Sequence, residues 1–503
     1  MSTASTLPFL RRQLPASPLW IGGLLFLLAL WLLMVSEKLN LLAGVLLAGP
    51  LFLLYLSNKT TAIVWTFAYL FLLGDIRRIV DVLVGSPVLD PLLLVAPLMV
   101  LLLAIPELFH LRLIDPLSKA MFGLLILMLL EAANPVQGLS SSFAGVFFYL
   151  VPVLWFWVGR HFGSPQLVER LLYRVTLPLA ILAALLGLCQ SFLGFLPYQQ
   201  AWINVAVKLY TSLYVGNSVR PFGFSVSAAE YATLLEFALA AVVAAFLAGR
   251  RAWILALPIL GSALLLASGR GLMIKLFLSL PIIWVMRKGA RISIGRLIGI
   301  GVLAVVSLAS LTFIASRLAP SGDSDAHNSS AAESSLNHQL GGLAHPLDER
   351  YSSAGLHSNM VTNGILQGFK TPYGRGLGAT TFAAAKFATD PLQGSSELDF
   401  SDMFISLGAI GGLLYLGIAG LAGKAALRYL QTVSLSVSLP VFAILVSTLG
   451  AWLIGGQYST CALVFFFMGS LVHAENQLPA ALPAFARPPR TGNDPAAIAA
   501  THI

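Results

Sequence analysis

Long, unbroken apolar runs recur along the whole chain and limit what it can fold into. They fall near residues 18–36, 39–56, 61–74, 91–106, 116–133, 143–159, 171–196, 227–248, 252–268, 271–286, 297–315, 401–423, 435–453 and 458–474. A helix needs roughly 20 apolar residues to cross a bilayer, and most of the runs approach that length. Lipid offers no partner to a bare N–H or C=O, so a spanning segment is a helix or part of a closed barrel. Barrel strands alternate apolar and polar residues, and these runs do not. The expected fold is an all-α, polytopic membrane helical bundle of about fourteen transmembrane helices. Composition agrees: only 10% of the residues are charged, against about 25% in a soluble domain. The mean hydropathy is +0.85.

The net charge of +9 would suggest a nucleic-acid partner in a soluble protein. Here it reflects basic residues gathered on one side of a membrane, where cytoplasmic loops collect Lys and Arg. With a cytoplasmic N-terminus, Lys59, Arg112, Arg160, Arg170, Arg250 and Arg251 fall inside, as do Arg287, Lys288, Arg291, Arg296, Lys424, Arg428, Arg487 and Arg490. Arg77 and Arg78 break the pattern. The C-terminus is then cytoplasmic too. Arg11 and Arg12 precede a first run that continues as a full-length span, so no cleavable leader is expected. Cys189 and Cys461 both lie in apolar runs and read as small core residues, not as a disulfide or metal site.

One long polar segment, residues 316–400, separates the helices 197–315 from the last spans, 401–474. The segment before it, 1–196, contributes spans alone, and the tail 475–503 is Pro- and Ala-rich and expected to be disordered. Within the polar loop, residues 320–347 are rich in Ser, Ala, Gly, His and Asn and are expected to be mobile. Residues 350–390 alternate apolar and polar. Leu356, Met360, Ile365 and Phe369 would form one face of an amphipathic helix, followed by a Pro- and Gly-rich turn. The same topology puts this loop, the RPFGF segment and the SGRG turn on the outer face.

Those two short motifs carry arginines. Arg220 in RPFGFSVSAAEYATLLEF sits at the outer end of a span, where an arginine either snorkels to headgroups or binds something. Glu230 and Glu236 follow within the apolar run. Carboxylates there are costly and face partners, and Glu230 is placed to pair with Arg220 or another arginine. Arg270 in ALLLASGRGLMIKLF lies in a tight, Gly-flanked turn. A guanidinium there suits a phosphate or diphosphate, because its fork binds two oxygens at once. GRGLG, Gly374 to Gly378, opens no βαβ unit and is not a nucleotide loop. It is a turn that presents Arg375. Glu397, Asp399 and Asp402 open the next span. Glu397 and Asp399 are candidates for a general base, and Asp402 for a helix cap. His327, His338, His345 and His357 share the loop at irregular spacing, which does not suggest a metal site.

In this order the motifs resemble the O-antigen ligase and O-antigen polymerase superfamily of bacterial polysaccharide assembly, over roughly residues 200–420. RPFGFSVSAAEYA is similar to that family's arginine and Gly-Phe at a helix start, and LLLASGRGLM to its Ser-Arg-Gly helix end, with Gly269 inserted. ERYSSAGLHSNMVTNGILQGFKTPYGRGLGATTF is similar to its arginine, amphipathic helix, Pro and Gly-x-Gly. ISLGAIGGLLYLG is similar to its closing Leu-Gly-x-x-Gly helix. Counted back from Gly408, the slot that ligase-like members fill with a His-Asn pair holds Glu397 and Leu398. The resemblance implies an inner-membrane glycosyltransferase using undecaprenyl-diphosphate-linked glycans at the periplasmic face, without metal or other cofactor. Arg220, Arg270, Arg350 and Arg375 would bind the diphosphate, and Glu397 or Asp399 would take the acceptor's proton. The missing His-Asn pair points to a polymerase of repeat units, with a chain-length regulator as an expected partner. The alternatives are a ligase that moves finished glycan to a lipid acceptor and, in another class, a flippase or transporter of lipid-linked sugars. Transport would leave the large outer loop unexplained, and the inverted repeats common in transporters are not evident.

Overall fold

The computed structural model describes residues 39–84, 90–111, 113–206, 213–215, 218–287, 293–318, 331–346, 348, 354–381, 398–448, 452–453 and 458–477. The span expected at 18–36, Arg350, Glu397 and nearly all of the 475–503 tail lie outside these residues. Each other apolar run coincides with a helix. In chain order these are α1 (Leu39–Ser57), α2 (Lys59–Val84), α3 (Leu92–Leu108), α4 (Pro116–Ala132), α5 (Leu139–Phe162), α6 (Pro165–Phe192), a short α7 (Pro197–Ala206) and α8 (Ala228–Leu247). They continue with α9 (Arg251–Leu266), α10 (Arg270–Met286), α11 (Ile294–Leu318), α12 (Ala331–Ala344), α13 (Ala354–Lys370), α14 (Asp399–Thr432), α15 (Leu435–Ser447) and α16 (Tyr458–Gln477). A two-stranded hairpin, β1 (Tyr214–Val215) and β2 (Ser218–Val219), precedes α8.

Among the described residues five helices are long and apolar enough to cross a membrane: α5, α6, α8, α11 and α14. Helix α8 is the hub, with 83% of its apolar window buried, while only 6% of the α11 window is buried. A helix apolar on every side belongs either in the protein interior or against lipid; α8 takes the interior place, and α11 exposes an apolar surface of the kind that suits lipid. Helices α5 and α16 approach backbone to backbone. A Cβ on Gly159 would strike the Phe466 carbonyl, and one on Gly469 would strike that of Phe156. Small residues make such contacts possible, and dispersion across them holds helices together where lipid removes the hydrophobic drive.

Three elements differ from the sequence expectation. Helix α2 runs for 26 residues, well past the apolar run at 61–74. Its last turns absorb charge by pairing it: Arg77 with Asp90, and Arg78 with Asp75 at 3.3 Å. These pairs neutralise the two arginines that break the charge pattern. The segment expected to be mobile contains α12, whose Leu340 and Leu343 pack with Leu311 and Ala315 of α11. On α13 the expected contact face packs only in part: Met360 and Ile365 are half-buried and Phe369 meets the Phe404 ring at 5.5 Å, while Leu356 is 62% exposed. The buried positions are Gly364 and Gly368, and a Cβ on Gly368 would lie 2.5 Å from the Phe404 carbonyl of α14. Glycine lets α13 lie flat on α14, which a leucine stripe would prevent.

Candidate functional site

The arginine motifs meet at the junction of α9 and α10. Helix α9 ends at Leu266 with Ala267 as its C-cap, Ser268 takes a left-handed φ of 56°, and α10 begins at Arg270. That conformation is uncommon for a residue with a Cβ, and such positions concentrate at functional sites. Arg220 leaves the β-hairpin and donates from Nε and Nη2 to the Ala267 carbonyl, at 3.2 and 2.9 Å. It thus satisfies one of the helix-end carbonyls that α9 cannot bond internally. Arg220 and Arg270, fifty residues apart in sequence (270 − 220 = 50), therefore flank one turn.

Helix α12 of the polar loop covers this turn. Arg270 Nη2 donates to Nε2 of His338 at 3.2 Å. One helical turn on, a Cβ at Gly342 would occupy the space filled by the Arg270 guanidinium. His338 is held below its usual pKa of 6.5 by burial first, then by the charges of Arg270 and Arg220. It is therefore neutral at pH 7, with the proton on Nδ1 when Nε2 accepts from Arg270. Two buried polar atoms border the same turn: the Ser268 hydroxyl and the Gln339 carbonyl oxygen have no hydrogen-bond partner among the described residues. A ligand that brings both donors and acceptors could satisfy them.

The carboxylates occupy a different place. Asp399 is 1% exposed, and its Oδ2 accepts from the Tyr415 hydroxyl at 3.0 Å and the Leu453 N–H at 2.5 Å. It joins α14 to the 452–453 backbone as a buried anchor. The N-cap of α14 is Leu398, and Asp402 is buried in the first turn, where the helix dipole favours a carboxylate. Arg375 docks on the same helix, its N–H donating to the Ile405 carbonyl at 3.0 Å. Its guanidinium faces the Gln367 side-chain amide of α13, whose oxygen accepts from it. The GRGLG turn is fixed to the α4–α5 connection, where Gln137 Oε1 accepts from the Gly378 N–H at 2.8 Å.

Neither membrane glutamate has Arg220 as a described partner. Glu230 Oε1 accepts from the N–H and hydroxyl of Ser459, both at 2.6 Å, and Oε2 from the Val226 N–H at 3.1 Å. Glu236 is fully buried in α8 and faces Lys275 of α10 at 3.5 Å.

The meeting of Arg220 and Arg270 follows from topology that the sequence discloses, since α8 and α9 form a return hairpin. His338 and Gly342 were missed as site residues, because irregular histidine spacing carries no signal by itself. The faint signal was Gly341-Gly342 within a helix-forming stretch, where each glycine costs about 1 kcal/mol relative to alanine. Comparison with known protein families and with curated proteins returned no match for this chain.

Proposed function

We propose that this chain is an inverting, metal-independent membrane glycosyltransferase that polymerises undecaprenyl-diphosphate-linked repeat units at the periplasmic face of the bacterial inner membrane. The observation that carries the proposal is the meeting of two arginines at one tight turn beneath a helix of the polar loop. About fourteen spans, with both termini cytoplasmic, complete the reading and put that turn on the outer side. The acceptor sugar hydroxyl attacks the anomeric carbon opposite the diphosphate. The bond from that carbon to the diphosphate oxygen breaks, its electron pair leaves on the diphosphate, and the configuration inverts. Arg220 and Arg270 donate to the oxygens on which charge develops, the form of stabilisation that contributes most in preorganised sites. Arg350 and Arg375, further along the loop, extend the basic surface toward the rest of the donor. A chain-length regulator would act on the same periplasmic side.

The acceptor's proton goes to a base, and Glu397 or Asp399 fills that role by position at the start of α14. A second assignment, His338, is favoured by one observation: it is held neutral beside Arg270, and its Nε2 is free to take a proton once Arg270 turns its donor to the diphosphate. The carboxylate of Asp399, by contrast, already accepts two hydrogen bonds in the core.

The test is Glu397→Gln, Asp399→Asn and His338→Asn, each assayed for polymer from a lipid-diphosphate donor at matched expression. A lost general base is expected to lower the rate at least about a hundredfold. Loss confined to Glu397→Gln or Asp399→Asn identifies a carboxylate, and loss confined to His338→Asn identifies the histidine. Full activity in all three removes the base from this surface and with it the proposed chemistry. For Asp399→Asn a melting curve is needed alongside, because its buried hydrogen bonds also support the fold.

A further inference from the structure

The segment that delivers Arg220 is held unusually tightly, and its main holder is a buried arginine that the proposed reaction does not use. Arg78 of α2 is 1% exposed. Its guanidinium carbon lies 3.9 Å from the ring centre of Phe222 and 4.6 Å from that of Trp202. Nη2 donates to the carbonyls of Ser225 and Val226 at 2.6 and 3.4 Å, and Nη1 meets Asp75 Oδ1 at 3.3 Å. Asp75 in turn accepts from the Tyr198 hydroxyl at 2.8 Å and the Gln199 amide at 3.4 Å, while its N–H donates to the Phe224 carbonyl at 3.2 Å. From the other side, Gln190 Oε1 accepts from the N–H groups of Phe222 and Gly223, both at 2.9 Å.

A loop of this length would ordinarily leave such groups to water. Here side chains of α2, α6, α7 and α8 fix residues 222–226 from several directions. Burying a guanidinium is costly unless its charge is paired and its donors used; here Nη1 and Nη2 are engaged, and Nε has no hydrogen-bond partner among the described residues. The arrangement exploits what distinguishes arginine from lysine: a flat cation that lies against two aromatic rings, themselves packed edge to face at 5.4 Å, while its donors reach carbonyls and a carboxylate. The segment it holds begins two residues after Arg220, whose own guanidinium stands on Ala267.

We infer that Arg78 is a positioning residue that, together with Asp75 and Tyr198, locks the RPFGF segment so that Arg220 meets the donor diphosphate already in place. This rests on the diphosphate reading of the Arg220–Arg270 turn. A misplacement of about 1 Å in such a site can cost up to a hundredfold, and Arg78 sets the position of the chain next to Arg220.

The experiment uses the full chain, purified in detergent, with farnesyl diphosphate as probe and farnesol as control. Binding of wild type, Arg220→Ala, Arg78→Lys, Tyr198→Phe and the Arg78→Lys/Arg220→Ala pair is measured, with a melting curve for each. Arg78→Lys is expected to bind farnesyl diphosphate about tenfold more weakly. Tyr198→Phe removes one hydrogen bond to Asp75 and is expected to lose a smaller factor in the same direction. In the Arg220→Ala background Arg78→Lys should add no further loss, because coupled residues are non-additive. A purely structural Arg78 would lower the melting temperature and leave the affinity of the folded fraction, or its additivity with Arg220→Ala, unchanged. That result overturns the inference. If Arg78→Lys does not accumulate, Tyr198→Phe decides alone: unchanged affinity refutes, and a loss that disappears in the Arg220→Ala background supports. If wild type binds farnesyl diphosphate no better than farnesol, the diphosphate reading fails, and the positioning inference falls with it.

Discussion

Arg270→Ala is expected to abolish polymer formation while leaving the protein in the membrane, and Arg270→Lys to come close to the same result. The side chain rests over Gly342 with Nη2 on His338, so its fork has one orientation. Alanine removes the cation and leaves His338 without its donor. Lysine keeps a charge but supplies a single ammonium point where two parallel N–H groups are needed. Losing one preorganised donor to a developing oxyanion costs about a hundredfold to a thousandfold in turnover. The measurement is polymer formed from a lipid-diphosphate donor in membranes with matched protein levels. Normal polymer in both variants would remove Arg270 from the site.

The second large effect is structural. Gly408 sits inside α14 with a φ of 69°, where the helix is interrupted. A Cβ there would strike the Pro372 carbonyl and come within 2.7 Å of the Gly374 nitrogen. Gly408→Ala must therefore push out the 371–376 turn and with it the Arg375 N–H bond to Ile405, at 3.0 Å. With ψ at −173° the residue lies in a region open essentially to glycine alone, where a Cβ costs about 1–3 kcal/mol, and forcing atoms into a packed contact adds about 1–3 kcal/mol. Gly417 lies in the same helix with open space around it, so Gly417→Ala is expected to be neutral or stabilising by up to about 1 kcal/mol. Melting curves of the two variants in one detergent compare them directly. Equal melting temperatures would contradict this account of the break.

The apolar runs located the helices well because run length and lipid solubility depend on each stretch alone. What they missed depends on pairs. The run at 61–74 ended, by composition, where Gly74 and Asp75 begin, yet the helix continues because Asp75 and Asp90 answer Arg78 and Arg77. The 320–347 stretch read as mobile because its own composition is polar. Its helix exists by packing on α11, which no local window contains. The same limit applies at the candidate site. Arg220 and Arg270 were legible as charges at helix ends, and hairpin topology brought them together. His338 becomes visible only once α12 is laid across the turn. The partners of Asp399, Tyr415 and Leu453, are 16 and 54 residues away and cannot be inferred from SSELDF.

The Glu236–Lys275 contact bears on how the protein is made. Helix α8 carries the acid and α10 the base, with α9 between them. A lone charge at the centre of a spanning helix raises its insertion free energy by about 3 kcal/mol. Glu236 precedes Lys275 by 39 residues (275 − 236 = 39), so α8 is synthesised before its counter-charge. The three helices are therefore cheaper to release into the bilayer together than one at a time. The ion pair that joins α8 to α10 in the finished bundle thus also favours an order of assembly, in which the hairpin bearing both arginine motifs is completed before the polar loop arrives to cover it.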